Sequence, residues 1–220
     1  MSIRAVLFDL DGTLVDSLAD IASCGNEVLG TLGCPTLSEA QFKGYLGHGV
    51  ANLARKVLPE ERRDAATLER FLSAFRELYQ TRWNATAHLY EGIPEMLSAL
   101  ELKGVRLAVL SNKKHEFTQL FVSELLAHWR FEAVVGESSE YPIKPHPASA
   151  LTIADRLGIA PQECLFVGDS EVDVETARRA GMVFVGVEWG FRCRAQLEAA
   201  GAERIIRTPL DLLQLVAVSS

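Results

Sequence analysis

The chain has 220 residues, 48% of them hydrophobic and 23% charged, with a formal net charge of −7. This composition suits one large globular domain, or a core with a modest second domain, and excludes a disordered chain. An acidic chain has no general attraction for nucleic acid or anionic membrane, so neither is an expected partner, and any phosphate it binds needs a local cation.

Ile3 to Leu7 is a short apolar run that predicts a buried strand; Asp9 stands at its carboxyl end and Gly12-Thr13 break it. Residues 17–32 have helical spacing and end in Gly33-Cys34-Pro35. Two short helices follow, 38–46 and 50–58, around a Gly47-His48-Gly49 turn. Leu68, Phe71, Leu72, Phe75, Leu78 and Tyr79 then recur at steps of one helix face, a packing stripe.

From Tyr90 the pattern alternates. Pro94 fits the first turn of a helix ending at Leu102, and Val105 to Leu110 is an apolar strand. A helix (116–127), strand (133–135), helix (148–157), strand (164–167), helix (172–180) and strand (183–187) come next. A helix near 194–200, a short strand at 204–206 and a terminal helix complete the chain. Strands without polar alternation, separated by helices, predict an α/β fold with a parallel sheet covered on both faces. The order implies a split α/β core, residues 1–15 and 85–220, interrupted by an all-helical insert at 16–84.

Cys24, Cys34, Cys164 and Cys193 lack zinc-finger or redox spacing and are expected as free thiols. With no apolar stretch long enough to span a membrane and no signal-like N-terminus, the expected location is cytoplasmic.

Ligands of open parallel sheets bind beyond the carboxyl ends of the strands. Those ends carry Asp9 and Asp11, then Ser111 and Asn112, then Gly168, Asp169 and Asp173; Lys144 lies in the loop leading toward the last group. A carboxylate can attack phosphorus and form an aspartyl-phosphate, while a second carboxyl protonates the leaving alcohol and then activates water. Asp9 is the candidate nucleophile and Asp11 the acid/base. One like-charge pair at about 4 Å costs roughly 4 kcal/mol at an effective dielectric near 20, so four carboxylates would repel a phosphate unless cations were present. Mg²⁺ suits such hard oxygen donors. Asp9 and Asp169 would bind it directly, Asp11 through its main-chain carbonyl, and Asp173 by orienting its waters. Lys144 adds a positive charge, and the Ser111 hydroxyl can hold phosphoryl oxygens.

In these motifs the chain resembles the haloacid dehalogenase-like hydrolases, and among them the phosphoglycolate phosphatase-like branch. They read Asp9-Leu10-Asp11-Gly12-Thr13-Leu14-Val15-Asp16-Ser17, Leu110-Ser111-Asn112-Lys113, Lys144-Pro145-His146-Pro147 and Val167-Gly168-Asp169-Ser170 through Asp173. The resemblance covers essentially the whole chain. It implies a Rossmann-like core with a helical cap and hydrolysis of a small phosphorylated metabolite, 2-phosphoglycolate first, by a monomer or homodimer. Asp11 speaks against haloacid dehalogenases and phosphonatases, which lack it. β-Phosphoglucomutase-like phosphomutases keep it, though they more often carry valine where Thr13 stands, and a non-catalytic binding protein on the same fold is the third alternative. Ser111, Asn112, Lys144 and Thr13 are the core candidates for substrate binding; Lys43 and His48, in the 43–49 loop of the insert, are the cap candidates. Arg192 is expected at the rim or in solvent.

Overall fold

The computed structural model describes residues 2–216. Strand β1 (Ala5–Phe8) is buried along its whole length. A two-residue strand β2 (Val15–Asp16) follows, then helices α1 (Leu18–Thr31), α2 (Glu39–Tyr45), α3 (Val50–Val57) and α4 (Ala65–Arg82). Strand β3 (His88–Leu89) pairs antiparallel with β2, so a small ribbon ties together the points where the chain enters and leaves the helical insert. Asp20 of α1 reinforces that closure: its buried carboxylate accepts from the N–H groups of Thr86 and Ala87 and from the Thr86 hydroxyl.

The chain continues through α5 (Ile93–Leu102), β4 (Arg106–Lys114), α6 (His115–Leu125), β5 (Phe131–Glu137), α7 (Ala148–Leu157) and β6 (Cys164–Gly168). It ends with α8 (Glu171–Ala180), β7 (Val183–Val187), α9 (Arg194–Ala199) and β8 (Ile205–Ile206). The six core strands form one sheet in the order β5-β4-β1-β6-β7-β8, every pairing parallel. β1 is central because both of its faces are apolar. Val6 and Phe8 pack in the core cluster shared with the insert, and Ala5 and Leu7 pack in the cluster under α7 and α8. Each Phe or Leu so buried is worth about 1.5–3 kcal/mol.

Local signals explain the insert. Ser38 and Gln41 form a capping box at the start of α2, and Asp64 caps α4. The α4 stripe packs inward as expected, with Phe71, Phe75 and Tyr79 buried and their rings in sequence. The four cysteines are unpaired, and among the described residues no helix is long and apolar enough to cross a membrane.

Three elements differ from the sequence expectation. β4 runs on to Lys114 instead of stopping at Leu110, because the polar residues 111–114 continue alongside β5 after a register shift. The β2–β3 ribbon is too short to leave a periodic signal. The terminal helix is a 3₁₀ turn, Pro209–Gln214.

Candidate active site

The parallel alignment places the ends of β1, β4 and β6 side by side, and the acidic and basic groups collect at that edge. Asp9 follows β1; its N–H donates to Val167 O at 2.9 Å, which keeps it in line with the adjoining β6. Its Oδ1 accepts from Leu10 N at 2.7 Å and lies 2.9 Å from Lys144 Nζ. Among the described residues no donor engages Oδ2.

Lys144 is a fully buried ammonium shared between two acids, reaching Asp173 Oδ1 at 2.7 Å as well as Asp9. Burial alone would favour its neutral form, but Asp173 and Asp9 outweigh that and hold its proton more tightly than usual. Asn112 holds the main chain of Lys144: its Oδ1 accepts from Lys144 N and its Nδ2 donates to Lys144 O.

Asp173 sits at the third position of α8, where its Oδ2 accepts from the N–H and hydroxyl of the capping Ser170. Asp169 ends the β6 turn. Its Oδ1 accepts from the Thr13 hydroxyl at 3.2 Å and its Oδ2 from Phe191 N at 2.7 Å. Two glycines make room for it. A Cβ on Gly12, whose φ is +84°, would lie 2.4 Å from Asp169 Oδ2, and one on Gly190 would lie 2.3 Å from Asp169 Cβ.

Carboxylate oxygens of Asp9, Asp169 and Asp173 lie within 4.8 Å of one another, and all three residues are buried. Burial pushes Asp9 up to about 7, with Lys144 opposing and Asp173 adding to the rise. Burial, then Asp173 and Asp9, push Asp169 up to about 8. Three clustered carboxylates against one ammonium leave surplus negative charge, and the donors are all hard oxygens. That set fits a small divalent cation such as Mg²⁺.

Asp11 is held apart from this cluster. Both its oxygens are reached by Lys113 Nζ, at 2.9 and 3.0 Å, and Oδ1 also accepts from Ser17 Oγ at 2.5 Å. Lys113 in turn donates to Tyr79 Oη of α4 at 2.9 Å, so a residue of the helical insert reaches the group that pairs with Asp11. A cavity of about 740 Å³ between insert and core is lined by Asp9, Asp11, Ser111, Asn112, Lys113 and Tyr79, among others.

The structure therefore brings together Asp9, Asp11, Ser111, Asn112, Lys144, Asp169 and Asp173. Thr13 is adjacent, with its hydroxyl turned to Asp169. Lys43 and His48 lie outside the cavity lining: Lys43 offers its carbonyl to Arg192, and His48 Nε2 lies 3.1 Å from Glu171 Oε1. Of the two expectations for Arg192, the solvated one is corrected. Arg192 lines the cavity but is buried, paired with Glu171 at 3.0 Å, and donates to the carbonyls of Lys43 and Leu46 near the end of α2. Those orphan helix-end carbonyls are what draw the guanidinium inward.

Sequence reasoning passed over Lys113 and Tyr79 as functional residues. A usable signal existed for Lys113, since it stands in the same polar run, Ser111-Asn112-Lys113, that follows the apolar part of β4. Tyr79 carries none, because its helical stripe reads as core.

An acidic cluster, a buried lysine and a second, separately held carboxylate at the carboxyl edge of a parallel sheet define a carboxylate-based hydrolytic site under a helical cap. Comparison with known proteins agrees. The profile of the family described as haloacid dehalogenase-like hydrolase matches residues 6–187, and the chain belongs to that family. The phosphoglycolate phosphatase of Xanthomonas campestris pv. campestris is 36% identical over 189 residues, 86% of this chain and 85% of that protein. That of Nitrosococcus oceani is 31% identical, with 96% of each chain covered. Among solved structures, a haloacid dehalogenase-like family hydrolase from Streptococcus pneumoniae superposes with a TM-score of 0.85 at 26% identity, over 98% of this chain and 99% of that one.

Proposed function

We propose that this protein is a Mg²⁺-dependent phosphatase that hydrolyses a small phosphomonoester, 2-phosphoglycolate, through an aspartyl-phosphate on Asp9. The observation that carries the reading is the division of labour between two nearby carboxylates. Asp9 is oriented through Oδ1 by Lys144 and Leu10, while Asp11 is held separately by Lys113 and Ser17. The names of the relatives support the substrate.

Asp9 Oδ2 attacks phosphorus, forming the Asp9–phosphorus bond as the ester P–O bond breaks. Asp11, which must enter the cycle protonated, gives its proton to the departing alkoxide and becomes the carboxylate that Lys113 holds. Asp11 then takes a proton from water, the water oxygen attacks phosphorus, and the Asp9–phosphorus bond breaks to release phosphate. Lys144 and the Ser111 hydroxyl hold phosphoryl oxygens. Asp9 and Asp169, with the Asp11 carbonyl, would hold Mg²⁺, and Asp173, held by Lys144 and Ser170, would orient its waters. When bound, the ion neutralises charge on the phosphoryl group. Residues 16–84 act as the cap that keeps bulk water out. Thr13 acts on the substrate through Asp169, Asn112 through Lys144, and Lys43 and His48 through the docked position of the cap loop.

Asp9→Asn tests the reading. Mg²⁺-dependent phosphate release from 2-phosphoglycolate and from p-nitrophenyl phosphate should fall to background; sustained turnover by this variant overturns it.

A further inference from the structure

The cavity must also receive the alcohol half of the substrate, and its cations decide what that half can be. Arg76, Lys113, Lys114 and Arg192 are the lysines and arginines in its lining. Arg76 is paired with Glu116 at 2.9 Å and Lys114 with Glu137 at 2.8 Å. Arg192 is spent on Glu171 and the α2 carbonyls. Lys113 differs because one of its partners is a side-chain hydroxyl, which can turn and donate in its own right: besides Asp11 it donates to the Tyr79 hydroxyl. Tyr79 is buried at 2% exposure, and its own hydroxyl proton has no acceptor among the described residues.

An ammonium whose side chain is 7% exposed, beside an unspent O–H donor on a buried tyrosine, is the chemistry of an anion receptor. Its surroundings strengthen it. Lys113 Nζ lies 4.8 Å from the centre of the Tyr79 ring and 4.5 Å from that of Phe121, in a water-poor corner where charge pairing is strong.

Position identifies the ligand group. The acid/base Asp11 must come within about 3 Å of the leaving oxygen. Lys113 Nζ is 2.9 Å from Asp11 Oδ1. The receptor therefore lies at most roughly 6 Å from the leaving oxygen, and a carboxylate on the adjacent carbon of the alcohol, itself about 3 Å from that oxygen by bond geometry, falls within hydrogen-bond reach. We infer that Lys113 and Tyr79 together receive a carboxylate on the leaving group and select phosphomonoesters that carry one on the carbon next to the ester oxygen. The carboxylate replaces the phenol oxygen on Lys113 Nζ, and the phenol turns its proton to the same carboxylate. Since Tyr79 belongs to α4 and Lys113 to β4, the receptor is complete only with the cap docked. The inference rests on the phosphatase reading and adds the residues that choose the substrate.

The test compares 2-phosphoglycolate with 2-hydroxyethyl phosphate, in which a neutral hydroxymethyl group replaces the carboxylate. The ratio of their kcat/KM values cancels any damage Lys113 substitution does to Asp11 itself, which falls equally on both esters. Wild type should favour the carboxylated ester. Lys113→Met should lower that preference about 10- to 100-fold, the scale of one lost charge-assisted hydrogen bond. Tyr79→Phe, a change that preserves packing, should lower it about 3- to 10-fold, and Lys113→Arg should keep most of it. An unchanged ratio in both Lys113→Met and Tyr79→Phe overturns the inference. So does wild type that hydrolyses both esters without preference, an outcome that leaves the phosphatase reading standing. Wild type that hydrolyses neither overturns both.

Discussion

Asn112 grips the main chain of Lys144 from both sides, accepting from its N–H at 2.7 Å and donating to its carbonyl at 3.0 Å. The same amide nitrogen donates to Gly47 O of the cap loop at 2.9 Å. One side chain thus aligns the buried lysine and touches the lid. Asn112→Ala should leave these main-chain groups unpaired and cost about 2–3 kcal/mol of stability, with kcat falling at least roughly tenfold. Asn112→Asp, which keeps the acceptor, should fall between the two. Urea unfolding and steady-state kinetics on the same samples check both.

The acidic trio should make the fold metal-responsive. At Mg²⁺ concentrations near one hundred times Kd, binding to the native state adds about 2.7 kcal/mol, which raises Tm by roughly 5–10 °C in a chain of this size. Asp169→Asn should lose most of that rise while folding without metal. A Mg²⁺ titration followed by calorimetry decides the point; an equal shift in the variant would falsify the metal assignment.

Gly190 should tolerate no side chain. A Cβ there would meet Gly12 O at 2.5 Å as well as Asp169 Cβ at 2.3 Å, and main chain cannot give way cheaply. Gly190→Ala should cost about 1–3 kcal/mol and weaken Mg²⁺ binding, because Asp169 must shift. Chemical denaturation with and without Mg²⁺ reads both effects.

Arg192 docks the cap loop through its contacts with Lys43 O and Leu46 O. Arg192→Met should leave Glu171 without this partner and the α2 carbonyls unpaired. The expected result is faster hydrogen exchange in residues 43–49 and a KM raised several-fold, with a smaller change in kcat. Exchange mass spectrometry and kinetics measure the two, and unchanged exchange would remove the docking role.

The cap helix α4 should carry a pH-dependent increment of stability. Asp64 accepts from Thr67 Oγ1 at 2.7 Å and Thr67 N at 3.0 Å, and these bonds hold its carboxyl below the ordinary value of 3.8. A folded-state pKa that is depressed gives stability that is present above the unfolded value and lost as pH falls through the folded one. Asp64→Ala should therefore lower Tm by roughly 2–4 °C at pH 7, the gap narrowing below about pH 4. Thermal melts of both proteins across that range test the sign.

The apolar runs of β1, β4 and β6, and the polar residues that follow them, are local properties of the chain. A strand buried on both faces must be apolar, and the next residue must be at its carboxyl end, so sequence alone determined the α/β class, the helical insert and the gathering of Asp9, Ser111 and Asp169 at one edge. Tertiary structure decided which side chains face one another. Lys113 meets Tyr79 across 34 residues of sequence, and Arg192 meets the Lys43 carbonyl across 149. Those meetings depend on how the cap settles on the sheet, and no local pattern encodes it. A lysine that reads as one more polar residue after a strand, and a tyrosine that reads as helix core, acquire a shared chemical character only when packing removes water from between them.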